Sequence, residues 1–390
     1  MYIKRNVCAI IDGQAGSCGK GKAIGQYALE KNVGVAIANC MPNAGHTFSS
    51  NSKKRVFRNI PVSSVNPKTK LFIGAGSIID MNVLEKEYED NKDILEGREI
   101  IVHPMVPIIE KRHIDREKQE LRTGSTFKGG GACLAEKVMR SPELKFFKEY
   151  KNIKADPDYH KKLIDSIRKA KHVLIEGSQG CDLDLNHSGH YPYVTSRQIS
   201  VAQMCADSGI SPMRLKEIIM VIRPFPIRIS NTTNIGKTIY SGDYGYSKEL
   251  TWDQISIGAF LDIYPTMVDE KMIKEWKNLV KNYTEYTTVT KQKRRVFELD
   301  INLLKKNTTI NTPTSIYLNF FQHLGSQYEN VSGKYNGHGK IYIDKYQREY
   351  LSWLERELDV PITMLGTGAD LKDYINRTPY SKKTFKKIVL

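Results

Sequence analysis

The stretch Gly13-Gln14-Ala15-Gly16-Ser17-Cys18-Gly19-Lys20-Gly21-Lys22 constrains this chain more than any other, because it follows an apolar run from Val7 to Ile11 and opens a helical pattern from Lys22 to Lys31. Strand, glycine-rich turn and helix start together form a phosphate cradle. Glycines let backbone N–H groups approach an anion, and the helix dipole favours negative charge. The loop departs from the Walker A pattern G-x-x-x-x-G-K-[S/T]: one residue too many separates Gly13 from Gly19-Lys20, and Gly21 follows the lysine. A phosphate is handled here by another scheme.

Further apolar runs lie at Val33–Asn39, Leu71–Ile73, Ile100–Val102, Val173–Ile175, Ile218–Ile222 and Ile316–Phe321, with helix-length or irregular stretches between them. Continuous apolar runs so spaced predict strands buried on both faces of a mainly parallel sheet flanked by helices, an α/β class. Ligands in such sheets sit beyond the carboxyl ends of the strands. Five of those exits are small or polar: Gly13–Lys22, Pro42–Thr47, Gly74–Ser77, Gly177–Gly180 and Gly366–Gly368. Their convergence would build one site. With 390 residues and 40% hydrophobic content the chain can bury a large core. No repeat or linker divides it, so the expectation is one mixed domain over 1–390. Two loops look inserted into it, near 124–131 and 287–295, glycine-rich and basic respectively, and both are candidates for anion-gripping lids.

The 59 Lys+Arg against 43 Asp+Glu give a net +16, which suits nucleic acid or polyanionic small molecules alike. Much of the excess lies along polar stretches such as Lys274–Lys281 and the tail Lys382–Lys387, where solvation suffices, and no nucleic-acid-binding motif accompanies it. Direct nucleic-acid binding is not expected. The six cysteines form no C-x-x-C pair, which points away from zinc and disulfides and toward a reducing, cytoplasmic setting. The N-terminal apolar run is too short for a membrane span.

Taken together, the loop G-x-x-G-S-C-G-K-G-K, Asn43-Ala44-Gly45-His46-Thr47, Glu176-Gly177-Ser178-Gln179-Gly180, Tyr191-Pro192-Tyr193-Val194-Thr195-Ser196 and Gly366-Thr367-Gly368 resemble, in order and over nearly the whole chain, the adenylosuccinate synthetases. The resemblance implies that family's P-loop-NTPase-like fold. It also implies its chemistry, phosphorylation of a purine 6-oxygen by a nucleoside triphosphate with Mg²⁺, then displacement of the phosphate by L-aspartate. It assigns Ser17, His46 and Gln179 to catalysis, with His46 supporting O6 and the transferring phosphate. Ser17, Asn43, Thr126, Arg140, Gln179 and Thr195 would hold the purine monophosphate, Arg140 reaching it from a partner subunit, which implies a homodimer. Val289, Thr290, Arg294 and Arg295 would hold aspartate. Gly16, Gly19, Lys20, Gly21, Lys22, Gly45, His46, Thr47, Asn319, Gly366, Thr367 and Gly368 would hold the triphosphate. The magnesium contacts fall to Ser17 and the Gly45 carbonyl.

Three departures bear on the substrates. The family's loop reads G-D-E-G-K-G-K, and its catalytic aspartate is Ser17 here. A hydroxyl is a poor base and a weaker metal ligand than a carboxylate. A phage branch of the family, from phages whose DNA contains 2-aminoadenine, carries the same replacement and acts on deoxyguanylate. A shorter side chain leaves room for the guanine 2-amino group. Asn319 stands near the family's guanine-reading aspartate, and an amide can both donate to and accept from adenine, so ATP or dATP is expected over GTP. Gln292 replaces an arginine that touches amino acid and ribose. These departures favour joining aspartate to C6 of dGMP, giving N6-succino-2-amino-2'-deoxyadenylate. An ordinary synthetase acting on IMP and a non-catalytic nucleotide- or nucleic-acid-binding relative are the alternatives.

Overall fold

The computed structural model describes residues 4–120, 123, 125–234, 237–261, 269–277, 280–287, 291–335 and 341–377. Its frame is a sheet of twelve strands. From one edge to the other they run Gly333–Tyr335, Tyr374–Arg377, Ile362–Gly366, Ser315–Leu318, Leu215–Ile222, Val7–Asp12 (β1), Val173–Glu176, Val35–Ala38, Lys70–Ile73, Ile100–Val102, Ile153–Ala155 and Glu149–Tyr150. Neighbours are parallel except at two antiparallel pairings, Ile362–Gly366 with Tyr374–Arg377 and Glu149–Tyr150 with Ile153–Ala155. β1 lies in register between two strands that arrive much later in the chain, Val7 facing both Val173 and Leu215. The winding direction reverses there, at the place where open α/β sheets bind ligands.

Why these runs become strands is visible in their burial. Every residue of β1 is buried, and alternate side chains feed opposite cores: Val7, Ala9 and Ile11 enter one, Cys8 and Ile10 the other. The expected boundaries shift where local conformation decides. Helix α1 spans Lys20–Glu30, starting two residues before the expected Lys22, because Gly19 at φ 82° closes the loop in the left-handed region and hands a helix start to Lys20. The run at Ile316–Phe321 stops as a strand at Leu318; Phe320 at φ 59° turns the chain into a 3-10 helix at Phe321–His323. The strand expected at Ile218–Ile222 instead begins at Leu215. All six cysteines are buried free thiols, and no helix of the described residues is long and apolar enough to cross a membrane.

Candidate active site

The site grows from the end of β1. Asp12 is fully buried, and its carboxylate organises the loop that follows: Oδ1 accepts from Gln14 N at 3.0 Å and Cys18 Sγ at 3.1 Å, while Oδ2 accepts from Cys18 N at 3.1 Å and pairs with Lys20 Nζ at 3.2 Å. Cys18, where the related loop has glutamate, also donates to Gln14 Oε1 at 3.0 Å. Sequence reasoning passed over Asp12; the signal was a carboxylate ending an otherwise apolar strand. Ser17 is exposed at φ 56°, held on one side by Asp12 through Cys18 N and on the other by Arg223, whose Nη1 donates to Ser17 O at 3.2 Å.

Four of the five expected strand exits meet at this loop. The Gln179–Gly180 turn presses on it so closely that a Cβ on Gly180 would lie 2.2 Å from both Gln14 O and Gly16 N. Lys20 Nζ donates to Gln179 O at 2.6 Å, and the Gln179 amide, on a residue at φ 65°, donates to Asn43 Oδ1 at 2.8 Å. Two residues expected to share the purine thus already hold each other. Gly21 lets His46 lie against α1, since a Cβ there would meet His46 Cβ at 2.6 Å. Lys22 Nζ donates to Gly368 O at 2.7 Å and to Asp373 O at 2.5 Å, tying α1 to the fourth exit. The fifth, Gly74–Ser77, is a structural clasp: Gly76 N donates to Asp207 O at 3.2 Å, and Ser77 Oγ serves Cys40 N and Ala38 O.

The electrostatics follow from enclosure. Burial, with Lys20 nearby, pushes the His46 imidazole down to about 3, so it is neutral at physiological pH and offers one N–H and one lone pair. Burial likewise lowers Lys22 to about 7, against the pull of Asp373 and Asp370. His46 Nε2, Thr47 Oγ1, Ser178 Oγ and Thr195 Oγ1 are buried polar atoms without a partner. Such groups are rare in settled interiors, and three on the strand exits, with Thr195 on the 191–196 segment, point to a polar ligand.

Other expected residues are placed less centrally. Thr195 N donates to Leu183 O at 2.8 Å, and Leu183 in turn lies beside Gly16. Thr126 is half-buried at the mouth of the glycine-rich segment, but the end of that segment is no free anion lid: the Glu117 carboxylate takes Gly129 N and Gly131 N, both at 2.7 Å. Arg140 is exposed at φ 58°, beside the exposed Val138 and Met139. Asn319 is buried with Nδ2 donating to Cys18 O at 3.1 Å, wedged between Gly19 and Gly366. One N–H of that amide thus buttresses the loop. Thr367 is fully buried and bonded to Val331 O at 2.6 Å.

In the basic segment, Val289 and Thr290 lie outside the described residues. Arg294 Nε donates to Tyr286 O at 3.3 Å. Arg295, the second arginine of the expected pair, is engaged within the protein. Its guanidinium is spent on Glu249 at 2.9 and 2.7 Å, Gly242 O at 2.7 Å, Ser241 Oγ at 3.2 Å and Asp243 at 3.2 Å, and little of it is left for a substrate carboxylate. Among the described residues no group of three His, Cys, Asp or Glu forms a metal cage. The Ser17 hydroxyl and the Gly45 carbonyl, on exposed residues, are hard oxygen donors too few to hold an ion alone. They fit Mg²⁺, which keeps waters and takes much of its coordination from substrate phosphates.

A sequence model of the adenylosuccinate synthetase family matches residues 9–151 and 143–347 of the chain. An N6-succino-2-amino-2'-deoxyadenylate synthase of Acinetobacter phage SH-Ab 15497 is 31% identical, with 94% of this chain and 96% of that protein covered. The adenylosuccinate synthetase of Methanocaldococcus jannaschii is equally 31% identical, over 94% of this chain and 95% of its own. The fold is shared, at a TM-score of 0.75 and 24% identity over 99% of this chain and 98% of the other, with the cyanophage S-2L succinoaminodeoxyadenylate synthetase solved bound to dGMP and dATP. The chain belongs to the adenylosuccinate synthetase family. It is a nucleotide-binding C–N ligase driven by a purine nucleoside triphosphate, in a family that uses Mg²⁺.

Proposed function

We propose that this ligase joins L-aspartate to C6 of dGMP, with ATP or dATP cleaved to the diphosphate and phosphate, and so supplies N6-succino-2-amino-2'-deoxyadenylate for 2-aminoadenine DNA in the host cytoplasm. The observation that carries the reading is Ser17: an exposed, uncharged side chain at the turn of the phosphate loop, beside Gln179–Gly180, where the family pattern has aspartate. Guanine differs from hypoxanthine by an amino group next to N1. A hydroxyl leaves room for that group and can accept one of its hydrogen bonds. The phage relative's name and the dGMP and dATP in the cyanophage enzyme's structure support the same substrates. Equal identity to an archaeal adenylosuccinate synthetase keeps IMP as the competing substrate.

In this reading the neutral His46 donates its N–H toward O6 and the transferring phosphate, and the Gln179–Asn43 pair orients the base with Thr126 and Thr195. Lys20 and Lys22 offset phosphate charge, while Gly16, Gly19, Gly21 and Thr47 on one side, and Gly366, Thr367 and Gly368 on the other, line the triphosphate. Arg294, with Val289 and Thr290, receives aspartate. Ser17 and the Gly45 carbonyl would hold Mg²⁺ together with the phosphates, and the ion would supply charge neutralisation on the group being transferred. Arg140 serves the monophosphate of a second copy, making a homodimer. The test is product mass: purified protein with aspartate, Mg²⁺ and dATP is given dGMP or IMP. The succinylated 2-aminopurine nucleotide is expected from dGMP, and turnover of IMP alone overturns the reading.

A further inference from the structure

Arg223 has no assigned task, yet it touches both substrate ends of the site. It follows directly on the strand Leu215–Ile222 and is fully buried. Its backbone is locked to the phosphate loop by Gln14, which accepts from Arg223 N at 2.9 Å and donates to Arg223 O at 3.0 Å. The guanidinium lies over the Phe320 ring at 4.1 Å. Nη1 donates to Ser17 O at 3.2 Å and to Glu285 at 3.1 Å, and Nη2 takes the other Glu285 oxygen. Glu285 in turn starts the amino-acid segment: its carbonyl accepts from Arg294 N at 2.9 Å, and the next residue, Tyr286, bridges to Lys293. A serine at positive φ persists where the surroundings fix its backbone. Here the Ser17–Cys18 peptide is gripped from both ends, by Asp12 on Cys18 N and by Arg223 on Ser17 O.

We propose that Arg223 is a positioning residue that couples the aspartate segment to the purine end of the phosphate loop, through the chain Arg294–Glu285–Arg223–Ser17. The inference rests on the substrate reading above for its purine partner. A guanidinium suits the task because one planar fork bridges a carboxylate and a carbonyl together, which an ammonium does not reproduce. The test compares wild type, Arg223→Lys, Glu285→Gln and the double variant. It measures the aspartate KM, the ratio of kcat/KM for dGMP to that for dIMP, and thermal unfolding. Each single variant is expected to raise the aspartate KM and narrow the dGMP ratio, both by about tenfold, and the double is expected to be no worse than Arg223→Lys alone. Folded variants that lower only the melting temperature, or whose kinetic effects multiply independently, overturn the proposal. Should Arg223→Lys fail to fold, Glu285→Gln, isosteric and partly exposed, decides by the same readouts. If wild type turns over IMP and not dGMP, the substrate reading fails by itself, and the coupling is judged from the aspartate KM with IMP.

Discussion

Replacing a carboxylate with the Ser17 hydroxyl removes a negative charge and shortens the side chain, and the carboxylate that remains nearby is that of Asp12. Asp12 carries the loop's own carboxylate, but it is buried and paired with Lys20, so it shapes the loop and does not face solvent. The remaining reactive group is His46. Removing its N–H with His46→Ala should cut kcat by roughly a hundred- to ten-thousand-fold while the protein stays folded, as followed by single-turnover kinetics. Lys22, depressed to about 7, titrates in the working range. Its positive charge is lost as pH rises through 7, so the KM for the triphosphate should climb between about pH 6.5 and 8.5, and Lys22→Met should flatten that climb. The stability effect has the opposite sense. Between 7 and 10.5 the unfolded chain holds a proton the folded chain has shed, and stability rises with pH over that window.

At the scale of elements, the site is a set of turns packed backbone to backbone. Gly180→Ala would drive a methyl group to 2.2 Å from two backbone atoms of the phosphate loop. The two turns must then part, at about 1–3 kcal/mol of stability, and kcat/KM for both nucleotides should fall more steeply than the melting temperature suggests. A variant with full activity would contradict this packing. The glycine loop, the strand exits and the histidine were legible in the sequence because each is a local pattern next to an apolar run. The roles of Arg223, Glu285 and Asn319 were not, because they depend on contacts 206, 62 and 301 residues apart. A residue type alone did not distinguish the engaged Arg295 from its neighbour Arg294; that needed the carboxylates of Glu249 and Asp243 in place.

For the whole molecule, parallel strands buried on both faces were foreseeable from uninterrupted apolar runs, whereas the reversal of winding beside β1 is a property of connection that no single run encodes. The proposed homodimer would bury one surface. Val138 and Met139, 70% and 78% exposed, stand next to Arg140 at the end of their helix. If a second copy covers them, wild type should sediment as a dimer, and Met139→Asp should yield a monomer with weakened monophosphate binding. A fully active monomeric wild type would contradict that arrangement. The most direct test of the whole account is the kcat/KM ratio for dGMP over dIMP, with aspartate, dATP and Mg²⁺ saturating, in wild type and in Ser17→Asp. The account predicts a strong preference for dGMP that the aspartate narrows by at least about tenfold; a ratio that the substitution leaves unchanged, or a wild type that prefers dIMP, would contradict it.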